Sequence, residues 1–176
     1  ITHASKTEAE DISKEHTESV CSFLKGRRQI MKILIDGDGC PVTGIAVKTA
    51  RTFGINAVIY CDTSHDMHAF EAEVVTVSKG ADSADFALVN DARRGDIVIT
   101  QDYGLAAMAL AKNAIPITQN GMIINEWNID SLLMSRHAAK AARRAGKRLK
   151  GPAKRTKEQN RDFEKALLSV IKSNLS

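Results

Sequence analysis

From Met31 onward the chain breaks into five short apolar runs rich in Val and Ile: KILID, INAVIYCD, EVVTVS, DIVITQD and AIPIT. Each has the length of a buried strand, and none alternates apolar with polar positions as a strand wetted on one face would. Strands covered on both faces belong to parallel sheets. Between the runs, helical spacing marks Val42 to Phe53, Ser83 to Ala92 and Leu105 to Ala111, the last made mostly of strong helix formers. Two further helices are predicted at Ile129 to Ala145 and Thr156 to Leu175. Thr156 with Gln159 three residues on makes a capping-box start, and Gly151-Pro152 breaks the chain ahead of it. The segment 56–78 reads as two strands joined by the loop SHDMHAFEA. The resulting order, β-α-β-β-α-β-α-β, predicts an α/β fold with a mainly parallel five-stranded sheet flanked by helices on both faces.

Residues 1–30 have no sustained apolar period and are read as an extension outside the fold, with Met31-Lys-Ile-Leu-Ile-Asp as the natural start of a single domain, 31–176. The chain's 176 residues are 43% apolar and 26% charged, the composition of an ordinary globular protein. No window approaches the roughly 18 consecutive apolar residues of a membrane span, and the polar start lacks a signal-peptide core. Three cysteines at irregular spacing, Cys21, Cys40 and Cys61, form neither a disulfide framework nor a CxxC zinc site. A reducing cytoplasm is therefore the expected compartment.

Charge changes the picture more than composition does. Residues 136–161 hold eleven Lys or Arg against the single Glu158, a charge of +10, while the remaining chain carries 14 basic and 20 acidic residues, or −6. An acidic body with a basic C-terminal segment points to a polyanionic partner, and cations along such a segment give salt-sensitive phosphate contacts. No aromatic residue lies within 136–161, so that stretch offers no base-stacking platform.

In an open parallel sheet ligands bind beyond the carboxyl ends of the strands. Those positions are acidic here: Asp36-Gly-Asp38 after the first run, Asp62 after the second, Asp82 and Asp85 after the third, and Asp102 after the fourth. Carboxylates brought close together must take up protons or share a cation, and an all-oxygen set suits Mg²⁺ or Mn²⁺. Each Asp also has a plain structural reading, since Asp is a preferred helix cap and turn residue. Asp102 is placed to cap the helix after it, Asp82 with Asp85 to form a cap and its partner, and Asp36 to hold a turn with Gly37 and Gly39. It is the recurrence at several strand ends that favours a functional cluster.

Other constellations are weaker. Cys40 ahead of Pro41 sits near a helix start, where a thiol pKa falls, but its acidic neighbours oppose that and it is given no catalytic role. Cys61, His65 and His68, with Asp62, have a spacing that suits zinc only loosely. No GxxxxGK[ST], GxGxxG or GxSxG motif is present.

The blocks IDGDGCPV at 35–42, KGADSADFALVNDA at 79–92, GDIVITQDYGLAAMALAK at 95–112 and RRAGKRLKGPAKRT at 143–156 resemble, in order and spacing, the YaiI/YqxD family of bacterial proteins. That family is regarded as a distant relative of the PIN and NYN nuclease domains, whose acidic clusters bind Mg²⁺ or Mn²⁺ and hydrolyse RNA. The resemblance implies a three-layer PIN-like fold and metal-dependent phosphodiester hydrolysis. By this resemblance Asp36 and Asp102 fall on the acidic positions after the first and fourth strands, and Asp82 or Asp85 on the middle one; all four are expected catalytic carboxylates and metal ligands, with Asp38 as a further ligand or the partner of one. SADFALVNDA is also similar to the NYN block, with Asp85 and Asp91 as its pair. Lys79, Arg143, Arg144, Lys147, Arg148, Lys150, Lys154 and Arg155 are the expected nucleic-acid contacts, with RNA the expected partner. A binding module without turnover is the alternative. Asp36-Gly-Asp38 also resembles the DxD opening of haloacid-dehalogenase-type phosphatases, the third reading.

Overall fold

The computed structural model describes residues 31–62, 70–77, 83–145 and 154–175, all within the unit Met31–Ser176. Their order is β1 (Lys32–Asp36), α1 (Thr43–Thr52), β2 (Asn56–Asp62), β3 (Glu73–Val77), α2 (Ser83–Asp91), β4 (Ile97–Ile99), α3 (Tyr103–Ala111), β5 (Ile115–Ile117), α4 (Ile129–Arg144) and α5 (Lys157–Leu175). The strands form one sheet in the order β3-β2-β1-β4-β5, and every pair is parallel. The sheet is thus wholly parallel where the sequence called for a mainly parallel one.

The unbroken apolar runs have a direct cause. Along β1, Ile33 and Ile35 turn to the face covered by α1 and α5, whereas Leu34 between them turns to the face covered by α2 and α3. All three are fully buried. With helices on both sides, neither side of the pleat tolerates a polar residue. α5 closes its face with Phe163, Leu167, Val170 and Ile171, spaced as one helical stripe. Burial of side chains of this size contributes about 1.5–3 kcal/mol each. Its first turn carries the expected capping box: the Thr156 N–H donates to Gln159 Oε1 at 2.9 Å, and the Gln159 N–H to Thr156 Oγ1 at 3.2 Å.

α3 lies between the sheet and α4. Leu105 and Ala109 pack into the sheet-facing core, while Ala106 joins a separate cluster with Ile129, Leu132 and Leu133 of α4. An apolar helix without a polar face, YGLAAMALA, is what that middle position requires. α4 therefore packs on α3 rather than on the sheet.

Two further contacts set the ends of the sheet. The buried Asp96, just before β4, accepts the Lys32 N–H at 2.8 Å and the Arg93 N–H at 2.9 Å, joining the starts of β1 and β4. β5 is an edge strand containing Pro116, and the following chain folds back along it through the Ile124 N–H to Pro116 carbonyl bond at 2.9 Å and an antiparallel bridge between Ile117 and Ile123. Among the described residues no helix is long and apolar enough to cross a membrane.

Candidate functional site

The strand order runs β3-β2-β1 in one direction and β4-β5 in the other, so the sheet reverses between β1 and β4. A crevice forms at such a point because the connections leaving the two strands pass to opposite faces. β1 ends in Asp36, and the chain leaves β4 through Thr100-Gln101-Asp102.

Gly37 makes the turn out of β1. Its N–H donates to the Tyr60 carbonyl at 2.8 Å, and a Cβ there would stand 2.8 Å from Ile59 Cγ2 and 2.9 Å from the Tyr60 carbonyl oxygen. Only glycine lets the chain lie this close against β2. Asp36 is held across the crevice by the fully buried Thr100, whose Oγ1 donates to Asp36 Oδ2 at 2.7 Å and accepts the Asp102 N–H at 2.9 Å. One hydroxyl thus connects the Asp36 carboxylate with the backbone amide of Asp102, 66 positions on in the chain.

Asp102 is the N-cap of α3. Its Oδ1 accepts the Gly104 N–H at 2.6 Å and the Leu105 N–H at 3.4 Å. The structural reading of this residue therefore holds, and a further partner is added: Arg136 of α4 donates from Nη1 to the same Oδ1 at 2.7 Å. Arg136 gets there by helical spacing, since it lies one turn beyond Leu132 and Leu133 on the stripe with which α4 meets α3. The pair is partly open to solvent, the side chains being 51% and 38% exposed.

The two carboxylates have opposite electrostatic settings. Burial pushes the Asp36 carboxyl above its usual range, and the charges of Asp38 and Asp102 push the same way against the Thr100 hydrogen bond. Burial also tends to raise Asp102, but the bonds from Arg136 and the α3 amides outweigh it and hold this group below the usual carboxylate range. Arg136 is raised, first by its bond to Asp102 and further by the fields of Tyr103 and Asp85. Asp85 lies in the first turn of α2, the helix that follows β3.

A cleft of about 510 Å³ opens beside Asp102, lined by Gln101, Tyr103, Ser135, Arg136 and Arg143. Its floor is one end of α3 and its wall is α4.

The sequence matches the family model described as "Uncharacterized BCR, YaiI/YqxD family" over residues 34–173. The chain belongs to the YaiI/YqxD family. Among its relatives are UPF0178 proteins from Ruminiclostridium cellulolyticum, 49% identical over 142 residues that make up 81% of this chain and 93% of the relative, and from Alkaliphilus oremlandii, 48% identical over 145 residues, 82% and 94% of the two chains. A third, from Clostridium acetobutylicum, is 46% identical over 143 residues, or 80% and 97%. No solved structure matches.

In this YaiI/YqxD protein the other expected site residues fall into three groups. Asp82, Lys79, Lys147, Arg148 and Lys150 lie outside the described residues, as do His65 and His68 of the loose zinc set. Asp38 is exposed in the β1–α1 turn beside Asp36, while Arg143, Arg144 and Lys154 are exposed on the basic segment. Arg155, by contrast, is committed to the fold: it donates from Nε to Asn160 Oδ1 at 2.6 Å, from Nη1 to Asn120 Oδ1 at 2.9 Å and from Nη2 to the Gln119 and Gln159 carbonyls. Gln119 in turn accepts a side-chain bond from Gln101, next to Asp102. Arg155 thus clamps α5 to the loop after β5, and four of its bonds are already made within the protein.

Asp85 and Asp91, the pair suggested by the NYN block, stand at opposite ends of α2, about 9 Å apart along its axis. Asp91 is bound by Lys32 Nζ at 3.0 Å and by the Tyr60 hydroxyl at 2.8 Å. Burial would raise its pKa, but these two bonds lower it below the usual value. It ties α2 to β1 and β2, away from the crevice. Cys40 packs partly buried ahead of α1, and burial pushes its thiol up, which keeps it protonated.

Among the described residues, no three His, Cys, Asp or Glu side chains already converge as metal ligands do. The arrangement present is a chain of contacts, Asp36 to Thr100 to Asp102 to Arg136, and two of its members were not singled out from sequence. Thr100 had one signal, a polar residue directly at the end of a buried strand. Arg136 had another, its place on the apolar stripe of α4.

Proposed function

We propose that this YaiI/YqxD protein is a divalent-metal-dependent nuclease of PIN-like kind that acts on RNA. The observation carrying the proposal is the linkage of Asp36 and Asp102 through Thr100 at the β1/β4 reversal, next to a cleft bearing Arg136 and Arg143. The donor set is suited to Mg²⁺ or Mn²⁺, because it is all oxygen and because the partly buried Asp36 lies near like charges that a cation would relieve. Asp36 and Asp102 would hold the ion, with Asp38 and Asp85 as further carboxylates and Asp82, outside the described residues, as the remaining candidate ligand. Bound there, the ion supplies a water of lowered pKa and charge stabilisation at phosphorus.

The protein's own residues prepare the site. Thr100 fixes the orientation of Asp36 and, through the Asp102 N–H, the register of the α3 cap. The cap bonds keep Asp102 ionised at neutral pH. Arg143, Arg144 and Lys154, with the rest of the basic segment, supply phosphate contacts along the substrate. Labelled single-stranded and structured RNA incubated with the purified protein and Mn²⁺ should be cleaved, and EDTA should stop the reaction. Mn²⁺ should also raise the melting temperature by mass action, and Asp36→Asn or Asp102→Asn should remove most of that shift. Unchanged metal binding in both variants would refute the ligand set.

A second reading, a nucleic-acid-binding module without turnover, is favoured by one observation: Asp102 already has a cation, Arg136, as its partner. RNA binding with no metal-dependent cleavage would select it.

A further inference from the structure

Arg136 is an unusual companion for a proposed metal ligand. It is the one basic side chain bonded to Asp102 among the described contacts, and it lines the same cleft as Ser135, Gln101 and Arg143. A guanidinium has five N–H donors in a planar fork suited to tetrahedral oxyanions. Arg136 spends one nitrogen, Nη1, on Asp102. Arg143, two helical turns further along α4, lines the cleft as a second cation. The cleft is therefore built to take an anion, and its nearest cation is also the counter-ion of Asp102.

We propose that Arg136 is an exchangeable internal counter-ion: a phosphate group entering the cleft takes over its guanidinium and releases Asp102 to a divalent cation, so anion and cation bind cooperatively. The inference rests on the reading of Asp36 and Asp102 as cation ligands. Both ligands must break the same ion pair, so whichever binds first removes that cost for the second. By linkage the effect is reciprocal. It also gives an order to events, with cation binding tightened where a phosphate is present. The Arg136–Asp102 pair is half-exposed, and pairs of that kind correspond to at most about a fivefold effect on an equilibrium.

The test is Mn²⁺ affinity, read by thermal shift and by the electron paramagnetic resonance of free Mn²⁺, at matched ionic strength in chloride or in sulfate. Sulfate serves as the tetrahedral oxyanion probe because it leaves Mn²⁺ in solution. For wild type, sulfate should tighten Mn²⁺ binding about threefold. Arg136→Gln should bind Mn²⁺ about threefold more tightly than wild type in chloride and show no response to sulfate. Arg136→Lys retains the charge without the fork and should respond to sulfate less than wild type. Lys112→Gln removes an exposed cation at the far end of α3, outside the cleft and away from Asp102, and it should leave Mn²⁺ affinity in chloride near the wild-type value. Equal tightening in Arg136→Gln and Lys112→Gln would mean a general loss of positive charge and would overturn the proposal. So would a wild type whose Mn²⁺ affinity responds neither to sulfate nor to an RNA phosphate.

The source of the phosphate is settled by a parallel arm with a cleavage-resistant 2′-O-methyl RNA of about ten nucleotides, comparing wild type with Arg136→Gln so that the RNA's own Mn²⁺ binding cancels. Coupling with both probes or with the oligonucleotide alone supports the exchange at a polynucleotide phosphate. Coupling with sulfate alone supports it for a small phosphate-bearing ligand. Failure of the underlying metal reading looks different: neither wild type nor Arg136→Gln binds Mn²⁺. Wild-type binding that Arg136→Gln leaves unchanged overturns the counter-ion role and spares the metal site.

Discussion

Thr100→Val is the substitution that tests the central contact most directly. Valine keeps nearly the volume of threonine, so the fully buried site gains no cavity, and what is lost is the hydroxyl that donates to Asp36 and accepts from Asp102. A hydrogen bond to an ionised group contributes about 1.5–3 kcal/mol, and leaving the Asp102 N–H without its acceptor adds about 1 kcal/mol. The expected destabilisation near neutral pH is therefore about 2.5–4 kcal/mol. Its pH dependence follows from Asp36. Burial raises this carboxyl in the folded state above its unfolded value of 3.8, so the folded protein holds the proton more tightly and loses stability as pH rises from the unfolded value through the folded one. The Thr100 bond opposes that rise by favouring the ionised form. Without it the folded pKa climbs further and the loss continues to higher pH. The penalty of Thr100→Val should be smallest below 3.8, where Asp36 is protonated in both states, and should grow with pH before levelling off. Urea unfolding at a series of pH values from about 4 to about 8 measures this, with Thr100→Ser, which keeps the hydroxyl, as the control. A penalty that does not vary with pH, or one below about 0.5 kcal/mol at neutral pH, would refute the bridge.

Other outcomes follow from the remaining contacts. Arg155→Met should cost about 2 kcal/mol, lowering the melting temperature by about 4–8 °C and speeding amide exchange in the first turns of α5, because the clamp to Gln119 and Asn120 is removed. Tyr60→Phe should cost about 1 kcal/mol in urea unfolding. Since Asp91 is held below its usual pKa, its stabilisation is present above 3.8 and lost as pH falls, and Tyr60→Phe should reduce that acid loss. Changing Arg143, Arg144, Lys147 and Arg148 together to Gln should flatten the slope of log K against log [salt] for single-stranded RNA by roughly 3, with an unchanged slope refuting phosphate contacts by these four.

The elements of this fold are readable because burial is two-sided. Ile33, Leu34 and Ile35 are consecutive yet all inside, and among the described residues no helix or loop buries three apolar residues in a row. The strands β4 and β5 are shorter than the runs that announced them, Ile97–Ile99 and Ile115–Ile117. Asp96 and Thr100 flank β4 in the fourth run and still share backbone bonds with β5, from the Ile115 N–H to the Asp96 carbonyl at 2.7 Å and from the Thr100 N–H to the Ile117 carbonyl at 3.2 Å, while their side chains turn to β1. The capping box at Thr156 and the cap at Asp102 were readable because their partners lie two or three residues away. The pairs that shape the site are of another kind. Thr100 meets Asp36 across 64 positions and Arg136 meets Asp102 across 34, and no local period encodes which strands become neighbours. For the same reason the expectation that Arg155 is a free phosphate contact had nothing against it in sequence, although the fold employs it elsewhere.

The edge at β5 bears on how this protein behaves at high concentration. A bare edge strand presents a row of unpaired amides and carbonyls that can template the pairing of another molecule. Here Pro116 contributes no amide, and its carbonyl is taken by Ile124 as the chain doubles back. An incoming strand finds that margin sealed by the protein's own backbone. The opposite margin, β3, carries Glu73 and Thr76 exposed, and a charged side chain on an edge strand disfavours covering that edge with another molecule. Both borders of the sheet thus discourage its extension into larger assemblies.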